Sequence, residues 1–129
     1  MSAWVLAALA AAASPVGDWE TQDRTAIVTI TPCGPSLCGR VSKVLATQPG
    51  IPTTDVHNPK PALRNRPIDG LSVLSGFNWS GTQWIGGTIY DPKTGKTYRS
   101  KMSVAADGGL KVSGCVLFIC ETQRWSRPR

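Results

Sequence analysis

The chain has almost no histidine. His57 is the only one in 129 residues, so neither a His-based metal centre nor a nucleophile–His–acid arrangement has the parts it needs. Cys-x2-Cys is also missing, which removes the usual spacings for structural zinc and for thiol redox catalysis. Acidic residues are few, 8 against 14 Lys plus Arg. Pairs such as Asp18/Glu20 and Asp91/Glu121 exist, but nothing in their setting marks them as a general acid and base. No catalytic residue, cofactor or metal site is expected, and the chain reads as a non-enzyme. The net charge of +6 is scattered rather than gathered in runs, so no nucleic-acid footprint is visible. A basic exterior does suit anionic envelope components such as lipid headgroups, lipopolysaccharide or acidic glycans.

Long apolar runs are absent as well. Trp4 to Ala13 spans roughly ten residues, too short to cross a bilayer, and no second run reaches membrane length. Its alanine-rich end, Ala11-Ala12-Ala13, fits a signal-peptidase site. Residues 1–13 are expected to be a signal peptide and residues 14–129 a single exported domain, periplasmic or secreted and monomeric. In an exported chain an even number of cysteines reads as disulfides. The four cysteines form two Cys-x4-Cys units, Cys33/Cys38 and Cys115/Cys120, each bracketing a turn. Local pairing would pin hairpin register. Cross-pairing, which would tie the chain ends together, stays open.

The dominant period is two. In "TAIVTIT" Ala26, Val28 and Ile30 share a face. "LSVLSGFNW" groups Leu71, Val73, Ser75, Phe77 and Trp79. "YRSKMSV" sets Tyr98, Ser100, Met102 and Val104 against Arg99, Lys101 and Ser103. Turn signals separate these runs: Ser80-Gly81, Asp91-Pro92 with Gly95, and Asp107-Gly108. About eight short strands with one long connection predict an antiparallel up-and-down β-barrel. Its inward positions, Phe77, Trp84, Tyr98, Met102 and Leu110 with Ser75, Gly86 and Ser100, leave room for at most a modest, partly polar cavity. Tyr90 and Tyr98 are expected to face each other across their hairpin.

The long connection is Ala46 to Pro67, which holds Pro49, Pro52, Pro59, Pro61 and Pro67, half of the ten prolines. Asn58 is expected to cap a short helical turn that begins at Pro59. Two readings of this segment compete. As a lid at the barrel mouth, Arg64 and Arg66 would grip an anionic group, with Asp55, Asn58 and Tyr98 completing a small-molecule site. As a strap, Asp55 and Asn58 would satisfy loop amides while the arginines pair with Asp69 or another acid. Proline density favours the strap, because prolines lower the entropy lost on fixing a loop. Gly17-Asp18-Trp19 at one end and "QRWSRPR" at the other suggest a different, structural pairing, with Trp19 plugging one barrel end beneath Arg124 or Arg127.

The pieces "GDWETQD", "PCGPSLCGRV", "TDVHNPKPALRNRPIDGL", "LSGF", "GGTIYDPKTGKTYRSKM", "LKVSGCV" and "TQRWSR" run in order from Gly17 to Arg127. Together they resemble the bacterial exported family known as domain of unknown function 2147. That resemblance implies a lipocalin-like barrel and an exported location, and implies no reaction. His57 stands where the family usually has Asn, and Lys60 where it usually has an acid. The expected role is binding of a small amphipathic or anionic ligand. The alternative is an envelope interaction module with a filled core and no ligand.

Overall fold

The structure, a computed structural model, describes residues 14–45 and 52–129. The expected signal peptide, residues 1–13, lies outside the described residues, as does the start of the long connection, residues 46–51. Eight strands follow one another: β1 Gly17–Glu20, β2 Ala26–Cys33, β3 Ser36–Val44, β4 Ser72–Trp79, β5 Trp84–Asp91, β6 Lys96–Val104, β7 Leu110–Val116 and β8 Ile119–Trp125. Each pairs antiparallel with the next in a single sheet of order β1-β2-β3-β4-β5-β6-β7-β8. Where the strands end, Glu20 N–H donates to Ser126 O at 2.7 Å and Ser126 N–H to Glu20 O at 3.0 Å. This bridge joins the two sheet edges, which would otherwise be open to pairing with other chains. The up-and-down barrel expected from the alternation is the fold. Among the described residues no helix is long and apolar enough to cross a membrane.

Two glycines correct the face assignments. The alternation in "LSVLSGFNW" is broken at Gly76, whose φ of 74° is open to glycine and strained for other residues. The irregularity lets Leu74 and Phe77, three residues apart, both sit fully buried. Ser75 therefore faces outward, and Trp79 is 54% exposed rather than part of the core. Gly86 has the same φ of 74°, and the β5–β6 register shifts between Trp84 and Gly87. Gly87, not Gly86, is the inward residue. A Cβ there would lie 2.6 Å from the Phe77 ring.

That contact measures how full the barrel is. Trp19, Ile30, Leu74, Phe77 and Leu110 have no exposed surface, and Trp125 has 3%. Two tryptophans and a phenylalanine use the interior that wider barrels leave for a ligand.

Candidate functional site

The site is built by the connection between β3 and β4. Ile68 N–H donates to Thr53 O at 3.0 Å and Asp55 N–H to Arg66 O at 2.9 Å, so the segment closes on itself as an irregular hairpin. At its tip Pro61–Leu63 forms one 3-10 turn. The cap differs from the sequence expectation. Lys60 is the N-cap residue, without a side-chain hydrogen bond, and Pro61 opens the turn. Asn58 instead accepts from Lys60 N–H through its side-chain oxygen at 2.8 Å, an Asx-type turn just ahead of it.

Asp55 holds this hairpin to the barrel. It is fully buried. Its Oδ1 accepts from the Tyr90 hydroxyl at 2.6 Å. Its Oδ2 accepts from Asn58 Nδ2 at 2.8 Å and from Arg66 Nε and Nη2 at 3.3 and 3.2 Å. A buried carboxylate is tolerated only when so surrounded. Burial pushes its pKa up, but the hydrogen bonds from Tyr90, Asn58 and Arg66 and the arginine charge outweigh that and hold it below the usual carboxylate range. The Tyr90 hydroxyl is pushed up to about 12, by burial first and then by the carboxylate it faces.

Several expectations for this cluster are corrected. Arg66 pairs with an acid as the strap reading expects, and that acid is Asp55; Arg64 does not, its Nε donating to the Asn58 carbonyl at 2.7 Å. The segment thus has the bonding of a strap, not of a lid with free arginines. Tyr98 does not join it. The β5–β6 register is Tyr90↔Thr97 and Ile89↔Tyr98, so the two tyrosines do not face each other and lie on opposite sides of the sheet. The missed residue is Tyr90. Its only signal in the sequence is that it alternates with the core-facing Ile89.

Face parity then locates the strap. Leu74 pairs with Ile89 and Ile89 with Tyr98 on the core side, while Ser75 pairs with Thr88 and Tyr90 with Thr97 on the other. The strap lies on the outer face of β4–β6, not across the barrel mouth. A Cβ on Gly95 would fall 1.8 Å from the His57 carbonyl oxygen, so the strap also rests on the β5–β6 turn.

Between strap and sheet is a groove of about 290 Å3. Asn58, Lys60 and Arg66 line its strap side, and Ser75, Thr88, Tyr90 and Thr97 its sheet side, with Leu63 and Val73 as apolar patches. Among the described residues Lys60 makes no ion pair. The groove therefore offers a cation, several hydroxyls and a small apolar floor.

The two remaining structural assignments lie away from the groove. Arg127, not Arg124, covers Trp19, with its guanidinium carbon 3.8 Å from the ring centroid. It also donates to the carbonyls of Ser14, Val16 and Asp18 at 3.3, 3.2 and 3.1 Å. A Cβ on Gly17 would lie 2.6 Å from its Nη1, which is why the first strand opens on glycine. Arg124 pairs with Asp107 at 2.5 Å. The disulfides are Cys33–Cys38 and Cys115–Cys120, with Cα separations of 5.8 and 4.1 Å. Cys115 and Cys120 face each other directly, whereas Cys33 faces Ser36 and its bridge runs diagonally. Among the described residues no three His, Cys, Asp or Glu side chains gather where they could hold a metal ion.

The family described as "Uncharacterized protein conserved in bacteria (DUF2147)" matches residues 17–127. The chain belongs to this family. No curated protein matches it. A solved structure from Helicobacter pylori, described as belonging to the lipocalin family, is 22% identical with a TM-score of 0.79, covering 92% of this chain and 85% of that one. At that identity the likeness establishes the fold. In this family member, then, a lipocalin-like barrel has a packed interior, and its open polar groove lies outside, under the strap.

Proposed function

We propose that this protein is an exported binding protein that takes a small amphipathic anion in the groove between the strap and the outer face of β4–β6. The observation that carries the reading is the groove's composition. A volume of about 290 Å3 sits at the lower end of small-ligand sites, roughly 300 Å3 and upward. Lys60 supplies a positive charge, Ser75, Thr88 and Thr97 supply hydroxyls, and Leu63 and Val73 supply apolar contact. Asp55 holds Arg66 and Tyr90 in fixed positions beforehand, which lowers the ordering cost of binding. Export is supported by the two disulfides, which persist in oxidising compartments, together with the alanine-rich N-terminal run. No nucleophile stands beside a base in the groove, so binding without turnover is the reading.

Native mass spectrometry of the protein purified from its own periplasm tests this. A retained small anion that is lost from Lys60→Ala, with the unfolding midpoint unchanged, is the expected result. A retained molecule that Lys60→Ala holds as well as the wild type does, or none in either protein, overturns it.

A further inference from the structure

The two disulfide-stapled hairpins have the same Cys-x4-Cys spacing and opposite tips. The Cys33–Cys38 hairpin turns through Gly34-Pro35, with Gly34 at φ 65°, the residue types such a turn asks for. In the Cys115–Cys120 hairpin, Val116 pairs with Ile119, leaving Leu117-Phe118 as the two-residue loop. Two-residue hairpin loops favour Asn-Gly, Asp-Gly or Gly-first pairs because a positive φ is needed. Leu117 takes φ 54°, where leucine is disfavoured. Local turn chemistry therefore does not account for these residues. Burial does not either: Val116, Leu117, Phe118 and Ile119 are 56, 76, 100 and 75% exposed. A strained, fully solvated apolar tip is the kind of local conflict that marks a functional position.

We propose that the β7–β8 tip is an anchor that inserts into the surface of a lipid bilayer carrying anionic headgroups. Shape and charge select that occupant. The tip is convex and four residues wide, well short of the roughly 800 Å2 per partner that a stable protein interface requires. A bilayer needs no matching pocket. Basic residues run along the outward side of the sheet behind the tip. Arg99, opposite Cys115, stands beside the tip, Lys101, opposite Ser113, lies further back, and Lys111, opposite Ser103, lies at the far end of β7. Arg99 Nη2 donates to Leu117 O at 3.1 Å, so its charge sits at the tip itself. None of Arg99, Lys101 and Lys111 has an acidic partner among the described residues. Glu121, the acid of this hairpin, pairs with Gly114 on the opposite, core-facing side. Apolar side chains at the acyl boundary with cations at headgroup depth is the arrangement of interfacial anchors. The directly facing Cys115–Cys120 bridge keeps the tip in one shape. This surface is separate from the groove under the strap and does not depend on what the groove binds.

Vesicle flotation with the full protein tests the assignment. The probe is phosphatidylethanolamine vesicles with and without one quarter phosphatidylglycerol. The wild type should float with the anionic vesicles. Phe118→Ser should weaken partitioning about tenfold, the loss expected for one buried aromatic side chain, without moving the unfolding midpoint. Arg99→Gln and Lys101→Gln should each weaken it about fivefold and lessen its salt dependence. Failure of the wild type to float overturns the proposal, as does flotation unaffected by Phe118→Ser. A wild-type dimer in solution that Phe118→Ser converts to monomer overturns it too, because the tip's partner would then be a second copy.

Discussion

Trp19 is the residue whose removal should hurt this barrel most. Its ring has no exposed surface, its indole N–H donates to Pro15 O at 2.8 Å, and Arg127 covers it at 3.8 Å. Emptying a buried tryptophan site costs about 3–5 kcal/mol. The hydrogen bond and the cation–π contact are lost in the same substitution, and each is worth about 1 kcal/mol. Domains of this size are stable by only about 5–15 kcal/mol. Trp19→Ala should therefore lower the melting temperature by roughly 15–40 °C and shift the urea midpoint without changing the slope. Trp79 is the control: the same residue type, 54% exposed, touching the Trp84 ring at a 5.5 Å centroid separation. Trp79→Ala should cost about 1 kcal/mol or less. Arg127→Ala should fall between them, and Arg127→Lys should recover little, because an ammonium cannot reach three carbonyls in the arginine fork's geometry. Equal losses at Trp19 and Trp79 would refute the closed-end plug.

The strap yields further tests. Arg66→Ala leaves Asp55 buried with only the neutral partners Tyr90 and Asn58 and should destabilise by about 1–3 kcal/mol; amide exchange across Val56 to Asp69 should be slow in the wild type, and exchange as fast as at the chain ends would remove the strap. Asp55 has a folded pKa below its unfolded one, so its contribution is present above about pH 4 and is lost as pH falls through the folded value; urea midpoints against pH should show an acid limb that Asp55→Asn flattens. Tyr90 has the opposite sign: a raised pKa means its contribution is complete below about pH 10 and fades as pH rises through about 12. In Tyr98→Phe, where Tyr90 is the only tyrosine left, the phenolate absorbance should rise with a midpoint near 12, and an ordinary midpoint would remove the Asp55 contact. Non-reducing peptide mapping should yield Cys33–Cys38 and Cys115–Cys120 as separate species, and a peptide linking the two units would contradict the register on which both hairpins rest.

The barrel is legible in the sequence because its signal is local. Alternation in Ala26–Ile30 and Tyr98–Val104, and turn residues at Asp107-Gly108, act within a few positions of one another. Face assignment fails where one backbone dihedral resets the count. Gly76 and Gly86 look like ordinary glycines in a strand, yet each breaks the alternation, so a strict period of two puts Ser75 and Gly86 on the wrong face. The β5–β6 register is another such case: the turn from Asp91 to Lys96 makes Tyr90 face Thr97, one residue off the Tyr90–Tyr98 pairing. The strap's contacts are beyond local reading altogether. Tyr90 meets Asp55 across 35 positions, and no pattern within "TTDVHNPKPALRNRPIDG" says which surface the segment lies on. The apolar tip is silent for a different reason. "CVLFIC" reads as a stapled turn like its counterpart at Cys33–Cys38, and only the exposure of Leu117 and Phe118 shows that nothing covers its apolar tip.

The position of the strap follows from how full the barrel is. The interior holds Trp19, Phe77 and Trp125 and has no room even for a Cβ at Gly87. A segment carrying a buried acid, two arginines and four prolines could enter such a core only by displacing it, and each unpaired polar group would add its own desolvation penalty. On the outer face the same segment meets hydroxyl-bearing residues and Tyr90, whose phenol can satisfy Asp55 without disturbing the core. A second layer is thereby added to one side of the sheet, and the space between the layers is polar because both surfaces are. Interior and groove thus lie on opposite faces of the sheet, sharing Val73 at their boundary. An apolar molecule offered to this barrel would have to unpack it and would lower its stability, whereas an anion bound beneath the strap would raise the unfolding midpoint by simple mass action and leave the Trp19 end unchanged.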